Sequence, residues 1–172
     1  MKKTFVALIV IVGLISYSVY MNGGFTPKKE EKAAVGFLAP DFTLSGLDGK
    51  SYRLSEIKKP TIINFWASWC GPCRAETPDL MRLYDKYDGK LEILAVNVTV
   101  NDKEENAKKF VQFFGMKFPV LFDRSGEVAN TYQVMAFPTN VFVDKNGTIV
   151  HIADGVLPME QVEKILQPLL DH

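Results

Sequence analysis

Residues 61–73 read TIINFWASWCGPC. Thr61 to Ala67 is short, apolar and partly β-branched, the pattern of a strand buried on both faces. The chain then changes character at once. Cys70 and Cys73 flank Gly71 and Pro72, and Pro72 suits a first helical turn because its missing N–H would be unpaired there anyway. A buried strand therefore runs straight into a helix N-terminus, and the only two cysteines of the chain sit at that junction.

The remaining elements can be read outward from this point. Residues 73–87 predict a helix and Leu91–Thr99 the next strand. Asp102 offers an N-cap for a helix through Phe114, stopped by Gly115. Pro119–Phe122 reads as a strand and Gly126–Tyr132 as a short helix. Thr139–Val143 and Thr148–Ala153 form a hairpin across Asp144-Lys145-Asn146-Gly147, and Met159–Leu170 closes the chain as an amphipathic helix. Upstream, Asp41–Leu54 reads as a hairpin turning at Leu47-Asp48-Gly49-Lys50, and Ser55 is placed to cap a short helical turn. Strands alternating with helices, then a hairpin and a last helix, predict an α/β architecture around a mixed sheet.

The chain has 172 residues, enough for one compact domain and an appendage. Lysine plus arginine (20) balance aspartate plus glutamate (20), so nothing suggests a nucleic-acid surface. The appendage is residues 1–22. Lys2 and Lys3 precede an uncharged run from Thr4 to Tyr20, near the lower length for a spanning helix, roughly 17 residues. A cleaved signal has a shorter apolar core, roughly 7–15 residues, and a small-x-small site, whereas Tyr17–Met21 is bulky. The run reads as an uncleaved signal-anchor and transmembrane segment. Lys28, Lys29 and Lys32 follow it, so lysine bias alone does not orient it; signal-like segments normally leave the N-terminus inside. Residues 23–35, with Gly23, Gly24 and Pro27, read as a flexible tether, and residues 36–172 as the folded domain.

Two cysteines at this spacing have three readings. A structural zinc site needs four ligands, and only His151 and His172 are available to help, so no metal is expected. A structural staple closing so short a loop removes little chain entropy. The third reading is a redox dithiol. Amide N–H groups at a helix N-terminus stabilise a thiolate at Cys70. Cys70 would then attack a disulfide, and Cys73 would resolve the mixed disulfide. Trp69 is placed to pack beside the sulfurs.

FWASWCGPC resembles the active-site signature of the thioredoxin superfamily, and Ala136-Phe137-Pro138-Thr139 resembles its cis-proline loop. Ala39-Pro40-Asp41-Phe42-Thr43-Leu44, the apolar N-terminus and a β-α segment around 91–114 resemble the membrane-tethered TlpA/ResA-like branch. The resemblance implies a thioredoxin-like three-layer fold with a central mixed sheet, an N-terminal β-hairpin and an inserted β-α segment. It also implies a cis Phe137–Pro138 bond, and a substrate groove formed by Trp69, Gly71, Pro72, Phe137 and Pro138. Phe118–Pro119 is expected to be an ordinary trans bond. The implied activity is thiol–disulfide exchange on protein substrates without a cofactor. The domain would be a monomer held outside the cytoplasm on a single-pass anchor, with a CcdA-like membrane electron donor. Apocytochrome c cysteines and envelope or sporulation proteins are the implied substrates. A disulfide oxidant or isomerase, a peroxidase (PDFTL also resembles the first strand of peroxiredoxins) and a redox-inactive binding module are the alternatives.

Two polar residues bear on proton handling. Asn64 stands where cytoplasmic thioredoxins hold a buried aspartate; it is neutral and reads as a hydrogen-bonded core amide. On a helical wheel Cys73, Glu76, Leu80, Leu83, Tyr84 and Tyr87 share one face, so Glu76 falls among core positions. Burial would raise its pKa toward neutrality and suit it to shuttle the proton of Cys73, a role that the branch resemblance also implies. His151, in a predicted strand, is read as structural.

Overall fold

In the computed structural model, residues 2–21 and 30–171 are described. The elements in chain order are α1 (Lys2–Met21), β1 (Thr43–Ser45), β2 (Ser51–Arg53), β3 (Thr61–Trp66), α2 (Gly71–Lys86), β4 (Glu92–Asn97), α3 (Glu104–Phe114), β5 (Val120–Phe122), α4 (Glu127–Thr131), β6 (Thr139–Val143), β7 (Ile149–Asp154) and α5 (Met159–Leu170). β1 and β2 form the antiparallel hairpin. The other strands make one five-stranded sheet in the order β5-β4-β3-β6-β7. β4 runs parallel to β3 and to β5, whereas β6 pairs antiparallel with β3 and with β7. The sheet is therefore mixed, with β3 at its centre, and the fold is thioredoxin-like.

Alternation along β3 divides the core between the two faces of the sheet. Ile62 and Trp66 pack with Leu80 and Leu83 of α2, Phe110 of α3, and Val162 and Leu166 of α5. Ile63 and Phe65 point the other way, onto Phe42, Leu54, Val128 of α4 and Tyr132. Three layers result: α2, α3 and α5; the sheet; and the hairpin with α4. β6 obeys the same parity, with Phe142 on the α2 side and Val141 and Val143 on the other.

Most predicted elements are found within a residue or two of their expected limits, and the departures have local causes. α2 begins at Gly71 because Cys70 itself serves as the N-cap, its sulfur accepting the Cys73 N–H. Pro78 lies inside α2 on an exposed face, so the buried stripe of Cys73, Glu76, Thr77, Leu80 and Leu83 is not rotated. Asp102 does not cap α3. Lys103 occupies the cap position without a side-chain bond, because the Asp102 carboxylate is engaged with Ser68. Ser55 does not cap its turn either; its hydroxyl donates to Asp41. Gly115 ends α3 in the left-handed region, φ 63°.

The folded region begins earlier than the expected boundary at 36. Lys32 N–H donates to Leu38 O, Leu38 N–H to Glu30 O, and Gly36 N–H to Ile149 O. The charges of this stretch are solvated, but its backbone is already paired. Residues 22–29, which include most of the proposed tether, lie outside the described residues. Among the described residues, no helix is long and apolar enough to cross a membrane. In α1, Phe5, Leu8, Ile9, Val10, Ile11, Val12, Leu14, Tyr17 and Met21 are all exposed.

Leu83 is 1% exposed and sits between α2 and the sheet. Leu83→Ala is expected to destabilise the folded domain by about 2–5 kcal/mol, the range for a buried leucine truncation. Urea unfolding of the oxidised protein measures this, and a loss below about 1 kcal/mol would contradict the packing of α2 described above.

Candidate active site

Cys70 and Cys73 are joined as a disulfide, with Cα atoms 5.3 Å apart. Both residues are 3% exposed. β3 carries the chain to Trp66, residues 67–70 turn, and α2 starts at Gly71, so the sulfurs stand at the end of the central strand and over a helix N-terminus. The Cys73 N–H lies 3.1 Å from Cys70 Sγ. When the pair is reduced, this donor and the positive end of the helix stabilise negative charge on the first sulfur. Pro72 occupies the first turn, where it removes no helical hydrogen bond. A Cβ on Gly71 would meet nothing within 4 Å, so glycine is not demanded by packing; its effect is to leave the approach to Cys70 open.

The turn before Cys70 is clamped from a distant segment. Asp102 accepts from Ser68 N at 2.6 Å and from Ser68 Oγ at 2.7 Å, and also from Asn97 Nδ2 and Lys103 N. Burial pushes this carboxyl up, but the hydrogen bonds outweigh it and hold its pKa below the ordinary range. Trp69 Nε1 donates to Asn101 O at 2.8 Å. The Trp69 ring meets Phe137 edge-on, with centroids 5.7 Å apart, yet Trp69 remains 64% exposed.

Trp69, Cys70, Gly71, Pro72 and Phe137 line a cleft of about 310 Å³, completed by Asn101 and residues 134–136. Met135 is 91% exposed at this cleft. The Phe137–Pro138 bond is cis, the one such bond among the described residues. Pro138 does not line the cleft; it is buried, and its carbonyl accepts Gly155 N–H at 2.7 Å. His151 is in β7 and packs against Phe142. Among the described residues no cluster of side chains would hold a metal ion.

Behind the cysteines, Glu76 is 6% exposed. Strand parity explains its surroundings. Asn64 lies on the same face of β3 as Ile62 and Trp66, and its antiparallel partner across the sheet is Asn140 of β6. Asn140 Nδ2 donates to Glu76 Oε1 at 2.5 Å, Asn64 Nδ2 approaches Glu76 Oε2 at 3.4 Å, and Asn64 Nδ2 also donates to Asn140 Oδ1 at 2.8 Å. Burial pushes the Glu76 pKa up to about 7; the Asn140 and Asn64 donors pull it down, and Asp79 adds a smaller upward push. Asn140 was absent from the residues read as important in the sequence. Its signal was present, however: it is an amide in an otherwise apolar strand, on the parity of Phe142, directly after the proline loop.

This constellation, a disulfide-forming pair at a helix N-terminus on a thioredoxin-like sheet, defines a thiol–disulfide oxidoreductase. Residues 35–152 match the AhpC/TSA family. Over 166 residues the chain is 39% identical to the thiol-disulfide oxidoreductase ResA of Geobacillus thermodenitrificans, covering 95% of this chain and 92% of that protein. The ResA of Geobacillus kaustophilus is 40% identical over 164 residues, covering 94% and 91%. A Chlorobium tepidum crystal structure, described under the name thiol:disulfide interchange protein DsbE, superposes with a TM-score of 0.74 at 33% identity, covering 80% of this chain and 98% of that one. The chain belongs to the AhpC/TSA family.

The Glu76 environment has a consequence for stability. A carboxyl whose pKa rises on folding from its ordinary value of 4.5 to about 7 binds its proton more tightly in the folded state. Its stabilising contribution is complete below pH 4.5 and is lost as pH rises through 7. Relative to the wild type, Glu76→Gln should therefore be more favourable at pH 8.5 than at pH 5, by about 2–3 kcal/mol. Urea unfolding of both oxidised proteins at the two pH values tests this; an equal gap at both would contradict it.

Proposed function

We propose that this protein is an extracytoplasmic reductant of protein disulfides, tethered by its N-terminus and working through Cys70, Cys73 and Glu76. The observation that carries the mechanism is a buried carboxyl with a near-neutral pKa on the α2 face that also bears Cys73. In the reduced protein the Cys70 thiolate attacks one sulfur of a substrate disulfide. That S–S bond breaks, a mixed disulfide forms, and the departing substrate thiolate takes up a proton. Cys73 then gives its proton to the Glu76 carboxylate and attacks Cys70 Sγ. The second substrate thiolate leaves and takes the proton held on Glu76, which returns to carboxylate. Two electrons have passed from the protein to the substrate, which has gained one proton from solvent and one from Cys73 by way of Glu76, and the protein ends as the Cys70–Cys73 disulfide.

Glu76 suits this step because a base must be unprotonated near the working pH yet strong enough to take a thiol proton. The Asn64 and Asn140 amides donate to both carboxylate oxygens and so favour the charged form that the step requires. The open cleft beside Cys70 admits the substrate, with Trp69 and Phe137 as its aromatic walls.

The direction of electron flow rests on the Gly71-Pro72 dipeptide, which matches that of thioredoxin, a reductant at about −270 mV. The location rests on the N-terminus. An uncharged run from Thr4 to Tyr20 follows two lysines, and the described apolar side chains of α1 are exposed around the whole helix. An uncharged run of this kind behind two lysines has the sequence pattern of a signal-anchor. A reductant on the outer side of a membrane needs electrons from within, which suits a CcdA-like donor; oxidised cysteine pairs of apocytochromes c, or envelope and sporulation proteins, are fitting substrates.

With a Cys73→Ser chain, substrates should accumulate as mixed disulfides on Cys70 and be identified by mass spectrometry, while Cys70→Ser should trap none. Equal recovery from both variants would refute the assigned order of attack. For Glu76→Gln, resolution of a preformed mixed disulfide should lose its rise through pH 7 and slow by about a hundredfold at pH 8, the lower end of general-base contributions. An unchanged pH–rate profile would remove Glu76 from the mechanism. Consumption of peroxide faster than exchange with protein disulfides would favour a peroxidase instead.

A further inference from the structure

Trp69 has a second side. Away from the Phe137 cleft, its ring walls another depression, lined by Ser68, Arg74, Asn106, Lys109, Phe110 and Phe113. Phe113 is 73% exposed and Trp69 64%. The Arg74 guanidinium lies 5.3–5.4 Å from the ring centroids of Phe110, Phe113 and Phe114. Three rings thus hold this cation in place without neutralising it. Arg74 follows Cys70 by one helical turn, its N–H donating to the Cys70 carbonyl.

The charged side chains that line this depression are all cations. Among the described residues, neither Arg74 nor Lys109 forms an ion pair, a state they share with Lys32, Lys58, Lys90, Lys103 and Lys164, while eight other cations are paired. No carboxylate lines it. Asp102, at its edge, is an ionised carboxylate, but its oxygens are turned to Ser68, Asn97 and the Lys103 N–H and pair with neither Arg74 nor Lys109. In a chain with no net charge, two unpaired cations between exposed aromatic rings, next to the attacking sulfur, are a recognition surface in search of an anion.

We propose that this depression receives an acidic segment of the substrate protein, with aspartate or glutamate side chains a few residues from the cysteine that Cys70 attacks. The substrate chain would cross Trp69, with its disulfide in the Phe137 cleft and its carboxylates against Arg74 and Lys109. This rests on the exchange reading above and adds a substrate class to it: disulfides flanked by acidic and apolar residues.

The test uses the reduced full-length chain and two synthetic disulfide peptides differing only in flanking glutamates or serines. The wild type should reduce the glutamate peptide faster at low ionic strength, by about fivefold for two exposed charge pairs, and the ratio should shrink toward one in 0.5 M salt. In the Arg74→Gln/Lys109→Gln protein the ratio should be about one from the start. Taking the ratio removes any general effect of Arg74 on Cys70 reactivity. Lys109→Glu, at an exposed side chain, should shift preference toward a lysine-flanked peptide. A parallel arm titrates a cysteine-free, fluorescent glutamate peptide by anisotropy, where binding should weaken in the double variant. A wild-type ratio of one, or a peptide affinity that the double variant leaves unchanged, overturns the acidic site. Binding that follows the variants, with no peptide reduced at all, overturns the exchange reading and leaves the acidic site standing.

Discussion

A carboxylate withdrawn from water without a cation beside it is the constraint around which the middle of this protein is arranged. Bringing a bare carboxylate into a protein interior costs several kcal/mol even after relaxation. Glu76 meets that cost in two ways: its pKa rises, so that the neutral form is accessible near pH 7, and two side-chain amides reach it from the sheet. The amides belong to adjacent strands at one register position. Were either strand shifted by a residue, its asparagine would turn to the opposite face, and the carboxyl would lose its donor. The register of β3 against β6 and the protonation of Glu76 are therefore coupled, and β3 is also the strand that delivers the cysteines.

The same parity governs how much of this was legible beforehand. The pattern TIINFW, then a proline-containing helix start, was enough to place the central strand, the cysteines and the buried face of α2. The wheel put Glu76 among core positions because Cys73, Leu80 and Leu83 carry the stripe to either side of it. Asn140 escaped because pairing of β3 with β6 brings together positions 64 and 140, and no local pattern states which strands become neighbours. The clamp on the active-site turn escaped for a related reason. Asp102 had every local credential of a helix cap, being a short acidic residue before a helical run. Ser68, from a segment far away in sequence, offered it a backbone N–H and a hydroxyl together, and tertiary geometry took precedence over local preference.

That clamp gives the active-site turn its definition. Residues 67–70 have no regular structure of their own, yet they must present a sulfur at a fixed place above α2. Asp102 holds Ser68 through backbone and side chain, and Asn101 holds the Trp69 indole. Both belong to the turn that joins β4 to α3, so the β-α segment beside β3 supports the site as well as extending the sheet. A carboxylate held below its ordinary pKa stays ionised across the physiological range, and the grip on the turn persists over the interval in which Glu76 exchanges its proton. The site thus has one carboxyl that titrates near neutrality and one that does not, set apart by their surroundings: two amides in a closed interior for Glu76, and four donors in a half-open loop for Asp102.

Trp69 is where these two halves meet the solvent. Trp69 is mostly exposed, its indole N–H is fixed, and it lines two depressions. On one side the walls are apolar and the backbone is turned by the proline loop; on the other two cations stand unneutralised beside Phe113. A substrate segment fitting both sides would have to be amphiphilic, with its cysteine on the apolar side and its charge on the other. Thiol chemistry alone would not impose that requirement, because any accessible disulfide satisfies Cys70. Selectivity among disulfides must come from the surface around the sulfur, and in this protein the asymmetry of that surface is set by Arg74 and Lys109, two unpaired cations that line the depression beside Trp69.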